Sequence, residues 1–330
     1  MKPGHRSVAQ PSNTAPPALR EEARGGGVFV GTVIGVEGGS YTLLCDGGRQ
    51  LEATLRGKLK QGTTGGDKIV IGDRVEALEG DGGGSTIESL LPRRSSMVRR
   101  GAGGRKAKVL AANLDRVFVV MAVEPSPRSE VIDRLLVVSE ANDVPAVLVL
   151  NKIDLPHAAE IAAPLASRYR EIGYPVLEVS AKRDLGVGAL RALLCQGTSA
   201  LMGPSGVGKS TLLNVVEPGL QLRTGELSGK TRGGRHTTVS SRLIQLSCGG
   251  AVADTPGFSD VGVWEMEPAE LDRCFPEMRG LKERCRFRGC AHGKEPDCAI
   301  RDAVAQGRIA TERYDSYVAL RREAEAALEH

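Results

Sequence analysis

Between residues 28 and 91 the chain alternates short β-rich runs with turn residues. The runs are Val28–Val36, Tyr41–Cys45, Leu51–Arg56, Arg74–Leu78 and Thr86–Leu91. Gly38-Gly39, Asp46-Gly47-Gly48, the stretch from Gly62 to Asp67 and that from Gly80 to Gly84 separate them. Five short strands in this rhythm predict a small closed barrel of the OB type, and an SH3-like barrel would read almost the same. From residue 110 to 260 the pattern changes to apolar runs of strand length alternating with helical periodicity. The predicted strands are Arg116–Ala122, Ala146–Leu150, Pro175–Val179, Ser199–Met202, Arg242–Leu246 and Ala251–Ala253. Helices are predicted over 128–141, 158–171 and 186–195, with another starting at Gly208. Strands buried on both faces read as continuous apolar runs, so this part predicts a mostly parallel, two-sided α/β sheet. Its ligands would bind at the carboxyl ends of the strands.

The remaining segments set the boundaries. Residues 1–27 carry Pro3, Pro11, Pro16 and Pro17, end in three glycines and lack apolar periodicity, which predicts a disordered tail. The expected division is a barrel over 28–98, a basic linker over 99–108, the α/β domain over 109–268 and a mainly α domain over 269–330. No apolar run reaches the roughly 18–20 residues that a membrane span needs. Seven cysteines, an odd number without a small-domain framework, read as a reducing, cytoplasmic setting.

The formal charge of the 330 residues is only +4, but it is unevenly placed. Residues 92–108 hold Arg93, Arg94, Arg99, Arg100, Arg105, Lys106 and Lys108 with no acid among them. Such a run is either a solvated linker or a phosphate-backbone contact, and a neighbouring OB-type barrel favours contact with RNA. Aromatic residues are 3% of the chain, so backbone charge and shape are expected to outweigh base stacking in any such contact.

The strand ends carry the chemistry. Gly203-Pro204-Ser205-Gly206-Val207-Gly208-Lys209-Ser210 fits G-x-x-x-x-G-K-[ST] between an apolar strand and a helical Thr211-Leu212-Leu213-Asn214. Its backbone N–H groups can turn around a phosphate, Lys209 can reach the β- and γ-phosphates, and the Ser210 hydroxyl can bind Mg²⁺. Asp254-Thr255-Pro256-Gly257 closes the strand Ala251–Ala253, where Asp254 can hold Mg²⁺ and the Gly257 N–H can meet the γ-phosphate. Asn151-Lys152-Ile153-Asp154 closes another strand. The Asp154 carboxylate only accepts, and guanine presents two donors at N1 and its 2-amino group, so this residue selects guanine. Asn151 is expected near the base edge, with the Lys152 stem over the ring or ribose. Ser180-Ala181-Lys182 follows a third strand, where the Ala181 N–H can meet the guanine O6. Jointly these motifs predict a GTP site. Their order is unusual: N-K-x-D and S-A-K precede the P-loop, as if the usual chain ends were joined near Cys195–Thr198 and the chain opened before Arg116. The D-x-x-G segment then leads directly into the C-terminal domain.

Between the P-loop and Asp254 lies the basic, Gly-rich segment from Gly229 to Thr238. It has the character of a switch loop, with Thr238, or Thr237, as a further Mg²⁺ ligand. Phe258 stands where many GTPases place a water-orienting Gln. His236 is then the local candidate to position water, with a phosphate or RNA contact as its alternative role. The catalytic candidates are Lys209, His236, Thr237 and Thr238. In the last domain Cys285, Cys290, His292 and Cys298 form C-x4-C-x-H-x5-C, a closed structural Zn²⁺ set. Arg284, Arg286 and Arg288 beside it add a second RNA-facing patch. Cys45, Cys195, Cys248 and Cys274 lack partners at ligand spacing and read as core or incidental thiols.

With these motifs in place the chain resembles the circularly permuted, small-ribosomal-subunit-dependent GTPases of the RsgA (YjeQ, EngC) family. The likeness rests on Ala111-Ala112-Asn113-Leu114-Asp115, the permuted motif order, Arg235-His236-Thr237-Thr238, Asp254-Thr255-Pro256-Gly257-Phe258, Phe275-Pro276-Glu277, the Cys/His knuckle, and Arg313-Tyr314 with Tyr317. The resemblance implies an N-terminal OB-fold, a central GTPase and a C-terminal zinc domain. It also implies late maturation of the 30S subunit, contact with its 16S rRNA and GTP hydrolysis to GDP stimulated by that subunit, by a chain expected to work as a monomer. Two other readings of the same residues are an RNA-binding assembly platform with a structural nucleotide site, and a GTPase acting on a protein target.

Overall fold

The computed structural model describes residues 27–57, 68–80, 84–99, 108–222, 241–255, 258 and 266–328. Arg100, Arg105, Lys106, His236, Thr237, Thr238, Gly257, the tail over 1–26 and the side chain of Arg99 lie outside them.

The N-terminal strands are β1 (Val28–Glu37), β2 (Ser40–Cys45), β3 (Gln50–Leu55), β4 (Arg74–Glu79) and β5 (Ser85–Leu90). They pair in the order β1-β2-β3-β5-β4, and β4 returns to β1 to close the barrel. Every pairing is antiparallel except β3 with β5. That parallel closure is the OB arrangement and excludes the SH3-like alternative. Alternate residues Tyr41, Leu43, Val75, Ala77 and Ile87 point inward and are buried, so the period of two places one face of each strand in the barrel core.

The basic run is folded at its edges. Strands β6 (Ser96–Arg99) and β7 (Lys108–Ala112) pair antiparallel, framing the segment 100–107. Arg93, expected to face RNA, is turned inward to the barrel. Its Nε and Nη2 donate to the carboxylate of fully buried Asp73 at 2.7 and 2.8 Å, and Nη2 also reaches the Lys68 carbonyl at 2.8 Å. This guanidinium neutralises a charge inside the barrel rim. The β6–β7 pair anchors the barrel from outside, since Ala112 N–H donates to the Ile71 carbonyl at 3.0 Å and the Asn113 amide to that of Gly72 at 2.8 Å.

The central sheet follows with β8 (Arg116–Ala122), β9 (Ala146–Asn151), β10 (Val176–Val179), β11 (Thr198–Met202), β12 (Ser241–Gln245) and β13 (Ala251–Asp254). Helices α1 (Ser129–Ala141), α2 (Ala158–Ile172), α3 (Val187–Leu194) and α4 (Lys209–Val216) cover it. The order is β10-β9-β8-β11-β13-β12, parallel from β10 to β13, with β12 antiparallel. Along β8, Val117, Val119 and Met121 enter the core with α1 and α2, while Phe118, Val120 and Ala122 enter the core with α3 and α4. Alternation within an apolar run therefore builds two cores, one on each face. The barrel is not detached: β1 pairs with β12 through Gly35↔Arg242 and Val36↔Ser241, giving one sheet of eleven strands.

Cys195 and Cys248, expected to be unpartnered, form a disulfide with a Cα separation of 5.4 Å. The α3–β11 turn and the β12–β13 turn meet there backbone to backbone, with Ala251 N–H on the Gly197 carbonyl at 3.0 Å. The joint of the permuted chain and the neighbouring hairpin bring the two sulfurs together, although 53 positions separate them in sequence. Cys45 and Cys274 are free.

A 3-10 helix (Pro268–Cys274) and helices α5 (Pro276–Lys282), α6 (Ala299–Ala305) and α7 (Thr311–Leu328) form the C-terminal part. Leu271, Phe275, Met278, Tyr317 and Leu320 continue the α1 side of the central core. A buried charge network fastens this junction. Arg313 of α7 is fully buried, and its Nη1 donates to Asp133 of α1 at 2.6 Å. Its Nε donates to Glu277 of α5 at 2.7 Å, and its Cζ lies 4.5 Å from the Phe275 ring centroid. Asp133 also accepts from the Tyr169 hydroxyl of α2 at 2.5 Å. Arg134 with Glu323 at 2.5 Å adds a second tie between α1 and α7.

Candidate nucleotide site and metal knuckle

The P-loop runs from the end of β11 to the start of α4. Its conformation demands glycine. At Gly203, φ is +147° and a Cβ would lie 2.1 Å from the Val120 carbonyl oxygen. At Gly208, φ is +100° and a Cβ would lie 2.4 Å from the Asn151 amide nitrogen. Side chains at these positions would collide with the β8 carbonyl and the Asn151 amide that support the loop. Lys209, 3% exposed, donates from Nζ to the Gly203 carbonyl at 2.7 Å and to that of Pro204 at 3.0 Å. Burial lowers its pKa to about 8. A charged ammonium held among loop carbonyls and disfavoured by burial fits a site whose anion would restore its charge. Ser210 is buried at the first turn of α4.

Asn151 differs from its expected place at the base edge. It is 2% exposed, its amide donates to the Val207 carbonyl at 2.8 Å, and its Oδ1 accepts from Ala181 N–H at 3.4 Å. It is a strut across the end of β8, joining the P-loop to the loop after β10. The Ala181 N–H, expected to face O6 of a base, is turned to this strut. Asp154 stands nearer the surface and accepts from the Ser180 hydroxyl at 2.5 Å. That bond, aided by the positive charges of Lys182 and Arg183 and opposed by partial burial, holds its carboxyl below the usual range, so it remains an acceptor at neutral pH. Lys152 takes a left-handed conformation, φ +67°, and its Nζ reaches the Glu124 carbonyl at 3.3 Å. Ile153 is anchored by its N–H on the Val179 carbonyl at 3.3 Å.

Asp254 ends β13, and its Oδ2 accepts from Arg242 Nε at 3.1 Å. Thr255 beside it is 3% exposed, and its hydroxyl has no partner among the described residues. Oxygen donors from Ser210 and Asp254, with an unsatisfied hydroxyl alongside, suit a hard cation such as Mg²⁺. Phe258 is 2% exposed and packs in the core with Met266 and Leu271, so it cannot orient water.

In the C-terminal part, the four ligand atoms of Cys285, Cys290, His292 and Cys298 lie within 4.8 Å of one another. His292 Nδ1 is 3.4 Å from Cys298 Sγ and 3.6 Å from Cys285 Sγ. Its other nitrogen, Nε2, is 3.4 Å from the carboxylate of Asp272. A carboxylate behind a ligating imidazole fixes the orientation of the ring. Burial pushes the Cys290 thiol up to about 12 and raises that of Cys298 as well. Three sulfurs and one imidazole nitrogen converging on one point are the donor set that a Zn²⁺ ion fits. Glu295 braces the turn by accepting from Ala291 and Gly293 N–H, both at 2.8 Å. Tyr314 and Tyr317 brace it from α7, donating to the carbonyls of His292 at 2.6 Å and Ala291 at 3.1 Å.

Arg284, Arg286 and Arg288 are exposed on this knuckle. Arg94, near the barrel, is also exposed and pairs with Asp115 at 3.0 Å. Sequence reasoning missed Asp272, Glu295 and Asp133, and it singled out Glu277 and Arg313 without foreseeing that they pair. Only Glu295, lying between two ligands beside Pro296, carried a local signal.

Comparison with known proteins places this geometry. The family model described as RsgA GTPase matches residues 90–264. The small ribosomal subunit biogenesis GTPase RsgA of Gemmatimonas aurantiaca is 43% identical over 297 residues, covering 89% of this chain and 96% of that protein. Its namesake from Moorella thermoacetica is 43% identical over 289 residues, covering 87% and 94%. The crystal structure of YjeQ from Thermotoga maritima superposes with a TM-score of 0.76 at 33% identity, covering 90% of this chain and 98% of that one. That of YloQ, a circularly permuted GTPase, gives 0.73 at 28% identity, covering 94% and 98%. The permuted sheet, the glycine-built phosphate cradle and these likenesses agree: the chain belongs to the RsgA GTPase family and is a GTP hydrolase.

Proposed function

We propose that this GTPase acts in biogenesis of the small ribosomal subunit, binding its 16S rRNA through the barrel and the knuckle and hydrolysing GTP to GDP and phosphate with stimulation by the subunit. The observation that carries this reading is the physical union of a permuted guanine-nucleotide site with two flanking modules. The barrel joins the central sheet through β12, which follows the switch segment, and the knuckle shares the α1 core. Relatives named as small ribosomal subunit biogenesis GTPases match this chain over about nine-tenths of its length.

Asp154 selects guanine as a fixed acceptor, and Ser180 orients it. Asn151 ties the base loop to the phosphate loop, so binding at one preorganises the other. Lys209 swings its ammonium from the loop carbonyls to the β- and γ-phosphates. Ser210, Asp254 and Thr238 would hold Mg²⁺, which when bound neutralises charge on the β- and γ-phosphate oxygens. The Gly257 N–H meets the γ-phosphate, and Thr237 backs Thr238. His236 positions the water, because Phe258 is committed to the core. Basal turnover is therefore slow, and the subunit completes the site. Zn²⁺ at Cys285, Cys290, His292 and Cys298 is structural. Arg94, Arg99, Arg100, Arg105, Lys106, Arg284, Arg286 and Arg288 face RNA phosphates. Among the described residues no helix is long and apolar enough to cross a membrane. The proposed work lies in the cytoplasm, and the chain acts as a monomer.

Co-sedimentation with purified small subunits tests the reading. Binding should be strong with a non-hydrolysable GTP analogue, weak with GDP, and should fall steeply as salt rises. Binding indifferent to both nucleotide and salt would sink it.

A further inference from the structure

The knuckle carries an aromatic ring where none is needed for folding. Of the five phenylalanines, Phe118, Phe258 and Phe275 are buried and Phe29 is half-buried, whereas Phe287 is 45% exposed. Among the described residues it is the only exposed aromatic side chain. It sits at the tip of the turn between the ligands Cys285 and Cys290. Cys290 N–H closes that turn on the Phe287 carbonyl at 3.3 Å, and Gly289 turns the chain with φ +74°. A metal held at both ends would make this tip a rigid mount for a ring that buries little of itself.

Its neighbours are mostly cationic, Arg284, Arg286 and Arg288, with Glu283 the acid beside them. Arg286 holds its guanidinium 5.5 Å from the Phe287 ring centroid and is oriented by Asp297 at 2.8 Å. Arg284 and Arg288 have no acidic partner among the described residues. A cavity of about 330 Å³ opens beside the ring, bordered by Lys282, Glu283 and Arg288 and lined on its inner side by Asp272 and the metal-ligand residues Cys285, Cys290 and His292, so the ring and Arg288 stand at the rim of the knuckle's own pocket. A flat apolar face between unpaired cations matches a nucleotide: the base supplies a π-face and its phosphates supply the counter-charge. A double-stranded RNA surface would use the arginines and leave the ring in water.

We propose that Phe287 is a stacking platform for an unpaired nucleobase of RNA, with Arg284 and Arg288 on the flanking phosphates. This rests on the RNA-binding reading above and refines it: the knuckle reads an unstacked base, while the rest of the basic surface reads backbone. It also revises the expectation from low aromatic content, because one well-mounted ring is enough for one base.

The test uses the full, zinc-loaded chain, purified small subunits and a fluorescently labelled single-stranded RNA oligonucleotide, with affinities measured across a salt series. Phe287→Ala should weaken binding of both by roughly 5- to 150-fold without changing the slope of log K against log salt. Phe287→Trp should bind at least as well as wild type. Arg288→Ala should reduce the slope by about one contact. An F287A affinity within twofold of wild type, with the salt slope intact, overturns the stacking site and leaves the RNA reading standing. A wild-type chain with no salt slope removes the RNA reading itself. Zinc lost from both Phe287 variants would make the ring a structural prop and also overturn the proposal.

Discussion

Arg313 offers the sharpest check on how the C-terminal part is held. Its guanidinium is fully buried and bridges Asp133 on α1 and Glu277 on α5, at 2.6 and 2.7 Å. Burial pushes the Asp133 carboxyl upward against the opposing pull of this cation. Arg313→Met keeps most of the volume but removes the charge, leaving two carboxylates in the junction without their counter-ion. Breaking a buried pair from one side costs about 3–5 kcal/mol, because the stranded charge remains desolvated. For a unit of this size the melting temperature should fall by roughly 6–20 °C. Thermal unfolding followed by circular dichroism, with zinc content measured in parallel, reads the effect. Neutralising the partners, Asp133→Asn and Glu277→Gln, in the Arg313→Met background should recover at least half of the loss. GDP affinity at low temperature should not change, since no group of the network touches the nucleotide loops. A fall below about 1 kcal/mol, or no recovery in the triple variant, would refute the argument that a charge network locks this junction.

Three further outcomes are expected. Asn151→Ala should weaken GDP and GTP binding tenfold or more while preserving the preference for guanine, because the strut is lost and Asp154 stays; titration calorimetry with guanine and adenine nucleotides decides it, and unchanged affinity would remove the strut. Lys209 has its pKa lowered to about 8 by burial, and phosphate contact must raise it again. GTP binding should therefore take up protons at pH 8.5, with affinity full below pH 8 and falling as pH rises above it. Calorimetry in buffers of different ionisation heat measures this, and zero uptake would contradict it. Reduction of Cys195–Cys248, which are 53 positions apart, should destabilise the chain by roughly 4 kcal/mol on the loop-entropy argument. Melting with and without reductant, with Cys195→Ser as control, checks this, and coincident curves would show that the cross-link carries no stability.

Much of the molecule was legible because it is written in local periods. The alternation along β8 built two cores, and turn glycines marked the four turns between the five barrel strands. The P-loop and the knuckle were legible because their chemistry demands fixed residue types at fixed spacing. What escaped depends on contacts between distant segments. Arg93 looked like one more exposed cation in a basic run, and its partner Asp73 is twenty positions upstream. Cys195 and Cys248 share no motif, and only the meeting of two turns pairs them. Asp133 reads as an ordinary helix residue until Arg313 arrives from 180 positions downstream. The choice between OB and SH3-like barrels turned on the parallel register of β3 with β5, and strand lengths alone do not encode it. Asn151 was recognised as part of a base-reading motif, but its role as a strut needed Val207 and Ala181 beside it.

With Phe258 sequestered in the core and unable to orient water, the proposed role has the small ribosomal subunit completing a GTPase site that is slow by itself. Phosphate release from GTP should be measured at saturating nucleotide, with and without purified small subunits. The expected result is slow basal release that rises at least tenfold with the subunit and not with the large subunit, and a basal rate unmoved by added small subunits would contradict it.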